Sequence, residues 1–297
     1  MATRWAYLNG DWIDDRGLSV PIGDIGFTLG VTATERLRTF GGKVFRQAEH
    51  VRRMHRSLEI IGLDAAAIAG ELDSAISEFV RRNQGLLPAG GDWSVAAFAT
   101  PGDGHSGPTR CVHGNPLPFS NWAHQFEAGV SVHLSDHRQT PASCWPPELK
   151  CRSRMHYYLA DQQARRLEPG ARAILLDQQG FVGEASTANV VIYRQEEGVV
   201  SPRMDKVLPG VSVAVVREVC GALGIPFGER DLTINELRRA DEVWLSSTSI
   251  CLLPVVRCDG QPIASGRPGP VYRRVLAAWD DLVGLGIAEQ ARRVAGA

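Results

Sequence analysis

Lys150 follows Trp145-Pro146-Pro147-Glu148-Leu149 and is followed by two cations, Arg152 and Arg154. Neighbouring positive charge lowers a lysine's pKa and leaves more of its amine neutral, the form that builds Schiff bases. Without a partner group the same residue reads as a solvated lysine. Glu184 offers such a partner: it stands inside the apolar run Phe181-Val182-Gly183-Glu184-Ala185. Facing inward it needs a cationic or protonated neighbour; facing outward it is an ordinary surface carboxylate. Leu208-Pro209-Gly210-Val211-Ser212 opens a helix, and such an N-terminus turns backbone N–H groups and the positive end of the dipole toward an anion such as phosphate. A plain loop-to-helix junction capped by Ser212 reads the same way. Ser246-Ser247-Thr248-Ser249 at a strand's end is either a second anion-binding nest or a polar turn. Arg52, Arg53 and Arg56 lie along one helix edge, whose default meaning is a solvated face.

Other chemistries find no residues. The glycines of Gly102-Asp103-Gly104-His105 and Gly266-Arg267-Pro268-Gly269 make neither G-x-G-x-x-G after a strand nor a P-loop. The eight histidines form no H-E-x-x-H cluster, which argues against a metal site, and no G-x-S-x-G elbow occurs. The six cysteines include no C-x-x-C pair and read as reduced thiols.

These residues must be positioned by strands and helices that are segregated rather than alternating. Trp5 to Leu8 before Asn9-Gly10, and Arg36 to Phe40 before Gly41-Gly42, read as an antiparallel start. Val51, Met54, Leu58 and Ile61 recur at helical spacing, and a second helix follows over about 64–82. Ser94 to Thr100 is the next strand. The Gly, Pro, Ser and His crowded into 101–121 mark the expected interdomain linker. Beyond it come a strand over 129–134, a Pro-rich loop over 140–149, a helix over 154–167, and a hairpin turning at Gly180 whose second strand runs from Phe181 to Tyr193. A helix from Val211 stops at Gly224, Glu242 to Leu245 is a strand, and 271–282 is the closing amphipathic helix.

The chain's 297 residues suffice for two domains and an enclosed site. Hydrophobic residues at 44% and charged residues at 22% describe an ordinary globular protein. A net charge of −1 supplies no basic field to hold nucleic acid or an anionic membrane, so neither partner is expected. The polar stretch Met1 to Trp12 has no signal-peptide run and no membrane-length apolar segment occurs, which predicts a cytoplasmic protein.

Taken in order, these elements resemble the class IV aminotransferases, the branched-chain and D-amino acid type of pyridoxal-phosphate enzyme, together with the related aminodeoxychorismate lyase. The resemblance runs from Leu8-Asn9-Gly10 to the C-terminal helix. Its most specific stretches are Glu49 to Met54, Lys150, Asp177 to Glu184 with Asn189, Leu208 to Ser212, and Ala240 to Thr248. It implies a mixed α+β and α/β two-domain fold, with a smaller N-terminal α+β domain over 1–121 and a larger sheet-centred cofactor-binding domain over 122–297. The cofactor lies between the domains in that family, and a homodimer is usual.

Carried onto this sequence, the resemblance makes Lys150 the Schiff-base lysine and Glu184 the carboxylate that keeps the pyridine nitrogen protonated. Arg53, the backbone amides of Val211 and Ser212, and Thr248 with Ser247 fall where the family clamps the cofactor phosphate. Leu208 falls where an apolar side chain supports the ring. The implied reaction is ping-pong transamination between an amino acid or amine and a 2-oxo acid. The alternative is a lyase that eliminates pyruvate from a chorismate-derived amine. Substrate positions depart from the pattern: within Phe98 to Gly104, Pro101 or another uncharged residue stands in place of a common arginine, Thr34 stands where many relatives carry an aromatic, and Met155 stands where branched-chain enzymes place a tyrosine. Arg154 matches the offset of an arginine in the lyase, and Arg152 adds a second cation. Thr34 and Arg154 are therefore the expected substrate contacts.

Overall fold

In the structure, a computed structural model that describes residues 3–296, the two glycine turns near the N-terminus set the first sheet. The outermost residues of the two expected domains, at positions 1, 2 and 297, lie outside the described residues. Asn9 and Gly10 both adopt positive φ, as do Gly41 and Gly42, and that backbone twist suits two-residue hairpin loops. The first turn joins β1 (Trp5–Leu8) to β2 (Asp11–Asp14). The second, after a short helix α1 (Ile25–Thr28), joins β3 (Ala33–Phe40) to β4 (Lys43–Val44). With β5 (Trp93–Thr100) and β6 (Thr109–Pro116) these strands form an antiparallel sheet ordered β2-β1-β6-β5-β3-β4.

Helices α2 (Gln47–Ile60) and α3 (Ala65–Arg82) supply its apolar cover. Met54 and Leu58 of α2, and Ile68, Leu72, Ile76 and Phe79 of α3, pack against Leu37, Val95, Ala97 and Val112 of the sheet. Each helix thus turns the stripe recurring every three or four residues inward.

The stretch expected to be a linker, 101–121, contains β6, which pairs with β5 from Trp93↔Pro116 to Thr100↔Thr109. Its Gly- and Pro-rich part is a hairpin loop, in which Gly102 has φ +76° and an added Cβ would meet Gly107 O at 1.9 Å. Hairpin loops and linkers use the same turn residues, so composition alone does not separate them. The chain divides into a unit of residues up to Pro118 with Glu148–Ser153, and a unit of Phe119–Pro147 with the remainder from Arg154.

The second unit begins with α4 (Gln125–Ala128), β7 (Val130–Arg138) and α5 (Met155–Leu167), then β8 (Arg172–Leu176), β9 (Val182–Ala185), β10 (Ala188–Arg194) and β11 (Gly198–Ser201). There follow α6 (Val211–Ala222), β12 (Phe227–Glu229), α7 (Ile234–Arg238), β13 (Glu242–Ser247), β14 (Cys251–Cys258), β15 (Gln261–Pro262), α8 (Pro270–Val283) and α9 (Ile287–Ala295). The expected strand from Phe181 to Tyr193 is broken at residues 186–187 into β9 and β10, which pair with each other. Because β9 also pairs β8, the ladder β10-β13-β14-β7-β8-β9 closes on itself and leaves those strands no free edge. Glu242 accepts the N–H groups of Val271 and Tyr272 at 2.8 and 2.7 Å, capping α8 from a neighbouring strand. Helix α9 lies beyond the expected last helix and buries Ile287 and Ala291.

Candidate functional site

In the first unit, α2 presents His50, Arg53 and Ser57 at i, i+3 and i+7, so one helical face carries all three. Arg53 is not part of a solvated edge as its neighbours suggested: its side chain is 9% exposed against 71% for Arg52. The guanidinium grips Glu35 of β3 through Nε at 2.7 Å and Nη2 at 2.8 Å. His50 Nδ1 lies 2.8 Å from the same carboxylate. A carboxylate only accepts, so the ring's N–H is assigned to Nδ1. Burial alone would raise the Glu35 pKa, yet the Arg53 charge and the bonds from Arg53 and His50 outweigh it and hold the carboxyl well below the usual range. Burial pushes His50 down despite its carboxylate neighbour. At neutral pH the triad is an anion and a cation with a neutral imidazole beside them.

Ser57 accepts the backbone N–H of Lys150 at 3.2 Å, and Thr34 donates its N–H to Lys150 O at 2.9 Å. With the bridge Ala33↔Cys151, the lysine segment docks on the part of β3 that β4 leaves uncovered. Thr34 is buried and donates its hydroxyl to Ala97 O at 3.2 Å. Lys150, Thr34 and Arg53 are thus brought together by β3 and α2.

In the second unit, Glu184 of β9 is 7% exposed, which settles its inward orientation. Asn189 stands opposite it on β10 and donates Nδ2 to Glu184 Oε1 and to Leu208 O, both at 2.9 Å. Tyr157 donates to Glu184 Oε2 at 2.9 Å, and Gln139 Nε2 lies 3.2 Å from the same oxygen. Burial first, and the Glu184 charge second, push the Tyr157 phenol well above its ordinary pKa, so it remains a donor. Arg154, at the N-cap of α5, adds its charge near Tyr157 and His156.

Gly210 is the N-cap of α6 and has no side chain to give it a hydrogen bond, so Ser212, in the first turn, is not the cap residue. Glycine leaves room there for Asn189, because an added Cβ would fall 2.0 Å from Asn189 Oδ1. On its other side Asn189 pairs with Ser246 of β13, which leads into Ser247 and the turn holding Thr248. Asn189 therefore joins the carboxylate, the Leu208 turn and the serine-bearing strand. Val211 and Ser212 lie in the first turn of α6, with Ser212 buried.

Five participants escaped the sequence reading: Glu35, His50, Ser57, Gln139 and Tyr157. His50 and Ser57 carried the one usable signal, their helical spacing from Arg53. Glu35, Gln139 and Tyr157 had none, since each acts on a partner far along the chain. Among the described residues no helix is long and apolar enough to cross a membrane.

The residues present fit a phosphorylated pyridine aldehyde. A helix N-terminus with glycine as its N-cap suits a phosphate. A buried carboxylate braced by three donors suits a pyridinium nitrogen.

The sequence pattern of the amino-transferase class IV family matches residues 32–258. The chain is 28% identical over 290 residues to a D-alanine aminotransferase of Bacillus licheniformis, covering 97% of this chain and 99% of that one. A branched-chain aminotransferase of Thermoproteus uzoniensis, solved with norvaline, superposes with a TM-score of 0.82 at 26% identity, covering 99% of this chain and 96% of that one. The T.th. branched-chain amino acid aminotransferase, solved with pyridoxamine 5'-phosphate, shares the fold at a TM-score of 0.82 and 22% identity over 96% and 95% of the chains. With a family match across most of its length and relatives that align end to end, the chain belongs to the class IV aminotransferases, a family of pyridoxal-phosphate-dependent enzymes.

Proposed function

We propose that this enzyme holds pyridoxal phosphate through Lys150 and Glu184 and moves an amino group between an amino acid or amine and a 2-oxo acid. Arg53, the first-turn amides of α6, Ser212, Ser247 and Thr248 serve the phosphate, and Leu208 supports the ring. Asn189 is the observation that supports this best, because one amide ties the Glu184 carboxylate to the turn that opens α6 at Gly210. A carboxylate for the ring nitrogen and an amide-rich terminus for the phosphate are thereby held in one fixed relation. Thr34 and Arg154 are the proposed substrate contacts.

Bound pyridoxal phosphate supplies an electron sink for negative charge developing at the substrate's α-carbon. The Lys150 amine would take the α-proton of the donor and deliver it to the carbon that was the cofactor's aldehyde, the transfer that transamination requires. Its backbone, fixed at N–H by Ser57 and at the carbonyl by Thr34, sets where the amine starts. Glu184 holds a proton at the ring nitrogen. The Glu35 carboxylate orients the Arg53 fork, so the cation is pre-organised for a phosphate oxygen.

The proposal extends to a cytoplasmic homodimer. The exposed apolar side chains Ile22 (81%) and Phe27 (70%) in the first unit, and Met155 (69%) in the second, are surface that a second copy would cover. Light scattering of the purified protein at the mass of two chains supports this; the mass of one chain ends it.

The test of function is a visible spectrum of the purified protein, followed by L- and D-amino acids, primary amines and aminodeoxychorismate added without an acceptor. Bleaching with stoichiometric keto acid identifies the donor and establishes transamination. Pyruvate release with the band restored would assign the lyase reaction instead. A protein without a visible chromophore after incubation with pyridoxal phosphate would overturn the cofactor reading.

A further inference from the structure

The geometry points to Tyr157 and Gln139 as positioning residues that keep the Glu184 carboxylate ionised, so that the proton it shares with the cofactor's ring nitrogen stays on the ring. This rests on the assignment of Glu184 to that nitrogen given above.

Both residues address the same oxygen. Tyr157 of α5 donates to Glu184 Oε2 at 2.9 Å, and Gln139, just after β7, brings Nε2 to 3.2 Å from it. Gln139 Nε2 also lies 3.4 Å from the Tyr157 hydroxyl, so the two donors stand side by side. The amide's orientation is set by this contact: its Oε1 is buried without a hydrogen-bond partner, while the NH2 end is turned to the carboxylate. Gly183 makes the approach possible, because an added Cβ there would fall 1.8 Å from Gln139 Oε1. Its φ is not positive, so the close approach, not backbone conformation, accounts for glycine at 183.

A carboxylate and a pyridine share one proton in two ways, as carboxylate with pyridinium or as carboxylic acid with neutral pyridine. Donors aimed at the carboxylate stabilise its charged form and lower its proton affinity. Asn189 does this at Oε1, and Tyr157 with Gln139 does it at Oε2. The burial that keeps the phenol protonated guarantees that Tyr157 gives rather than takes this hydrogen bond. Each of these three donors is uncharged and acts on the carboxylate through its hydrogen bond. Removing one leaves a buried carboxylate less satisfied and draws the proton toward it.

The experiment loads the protein with pyridoxal phosphate carrying 15N in the ring and reads the nitrogen shift by NMR, with no turnover. The wild type should show a protonated ring. Tyr157→Phe should move the shift toward neutral pyridine, lowering the ratio of ring-protonated to carboxyl-protonated forms roughly three- to tenfold. Gln139→Leu should move it the same way, and it decides the matter if Tyr157→Phe does not fold. A purely structural role would lower the melting temperature without moving the shift. A protonated wild-type ring that neither variant changes would overturn this proposal and leave the Glu184 assignment standing. An unprotonated wild-type ring would overturn both.

Discussion

Arg53 and Glu35 face each other through two parallel hydrogen bonds, Nε to Oε1 at 2.7 Å and Nη2 to Oε2 at 2.8 Å, with the carboxylate 1% exposed. A planar fork on a planar carboxylate fixes the guanidinium in orientation as well as position. The cation proposed for the phosphate is therefore held in place before any ligand arrives. His50 closes the arrangement by donating to the oxygen that Nη2 also reaches.

Glu35→Gln is expected to weaken this device in two measurable ways. Breaking a buried pair on one side costs about 3 kcal/mol, because the remaining charge keeps its desolvation penalty without its partner. Urea unfolding should report that loss. Cofactor retention on dialysis should also fall, since Arg53 can then leave its position. Retention equal to the wild type would show that Arg53 needs no help from Glu35.

Lys150→Ala separates the amine from its scaffold. The Lys150 backbone bonds to Thr34 and Ser57 do not involve the side chain, so the fold should persist while the visible band disappears. Ser57→Ala should do the reverse, keeping the band and losing about 1 kcal/mol of stability for one hydrogen bond. A visible band in Lys150→Ala would remove that residue from the chemistry.

His113 of β6 predicts a pH dependence. Burial first, and then the charges of Arg36, Arg152 and Arg4, pull its pKa from 6.5 down to about 4. The unfolded chain therefore takes a proton that the folded chain refuses between those values. Stability from this group is complete above about pH 6.5 and is lost as pH falls toward 4, amounting to about 2 kcal/mol after allowing for partial exposure. His113→Phe keeps an aromatic ring near Phe98, whose centroid lies 6.2 Å away, and removes the titration. Urea midpoints of the variant should fall less between pH 7 and pH 4.5 than those of the wild type. Parallel curves would place the acid sensitivity elsewhere.

How far the sequence could be read depended on whether a residue's meaning was local. Asn9-Gly10 and Gly41-Gly42 announced their hairpins because the turn geometry resides in those residues. Glu184 was conspicuous as a charge in an apolar run, and Lys150 stood apart in a proline-rich loop. Glu35 was not legible, since Thr34-Glu35-Arg36 gives no sign that its partners lie 15 and 18 residues on. Tyr157 sits beside the exposed Tyr158, and only the helix orientation decides which of the two reaches Glu184. The hairpin loop before β6 passed for a linker because both are built from glycine, proline and serine. The alternative of Ser212 as a helix cap was open in the sequence because the helix start was legible there and its cap residue, Gly210, was not.

Gly210→Ala tests whether Asn189 links the two ends of the proposed cofactor site. Gly210 has φ −72° and ψ 130°, extended backbone that alanine adopts without strain. The cost of a side chain there is therefore contact, not conformation: the Cβ would fall 2.0 Å from Asn189 Oδ1 and 3.4 Å from Val213 Cγ1. Asn189 would have to swing, and its Nδ2 would release Glu184 and Leu208 together. Overpacking of this kind costs about 1–3 kcal/mol, and cofactor retention should fall with it because the carboxylate and the α6 turn are no longer coupled. Gly224→Ala is the matching control. Gly224 has φ +68° and open space around it, so alanine there costs roughly 1 kcal/mol through the backbone alone. If both variants lose stability but only Gly210→Ala loses cofactor, the loss follows the Asn189 link. Equal retention in the two would mean that the carboxylate and the helix terminus act independently.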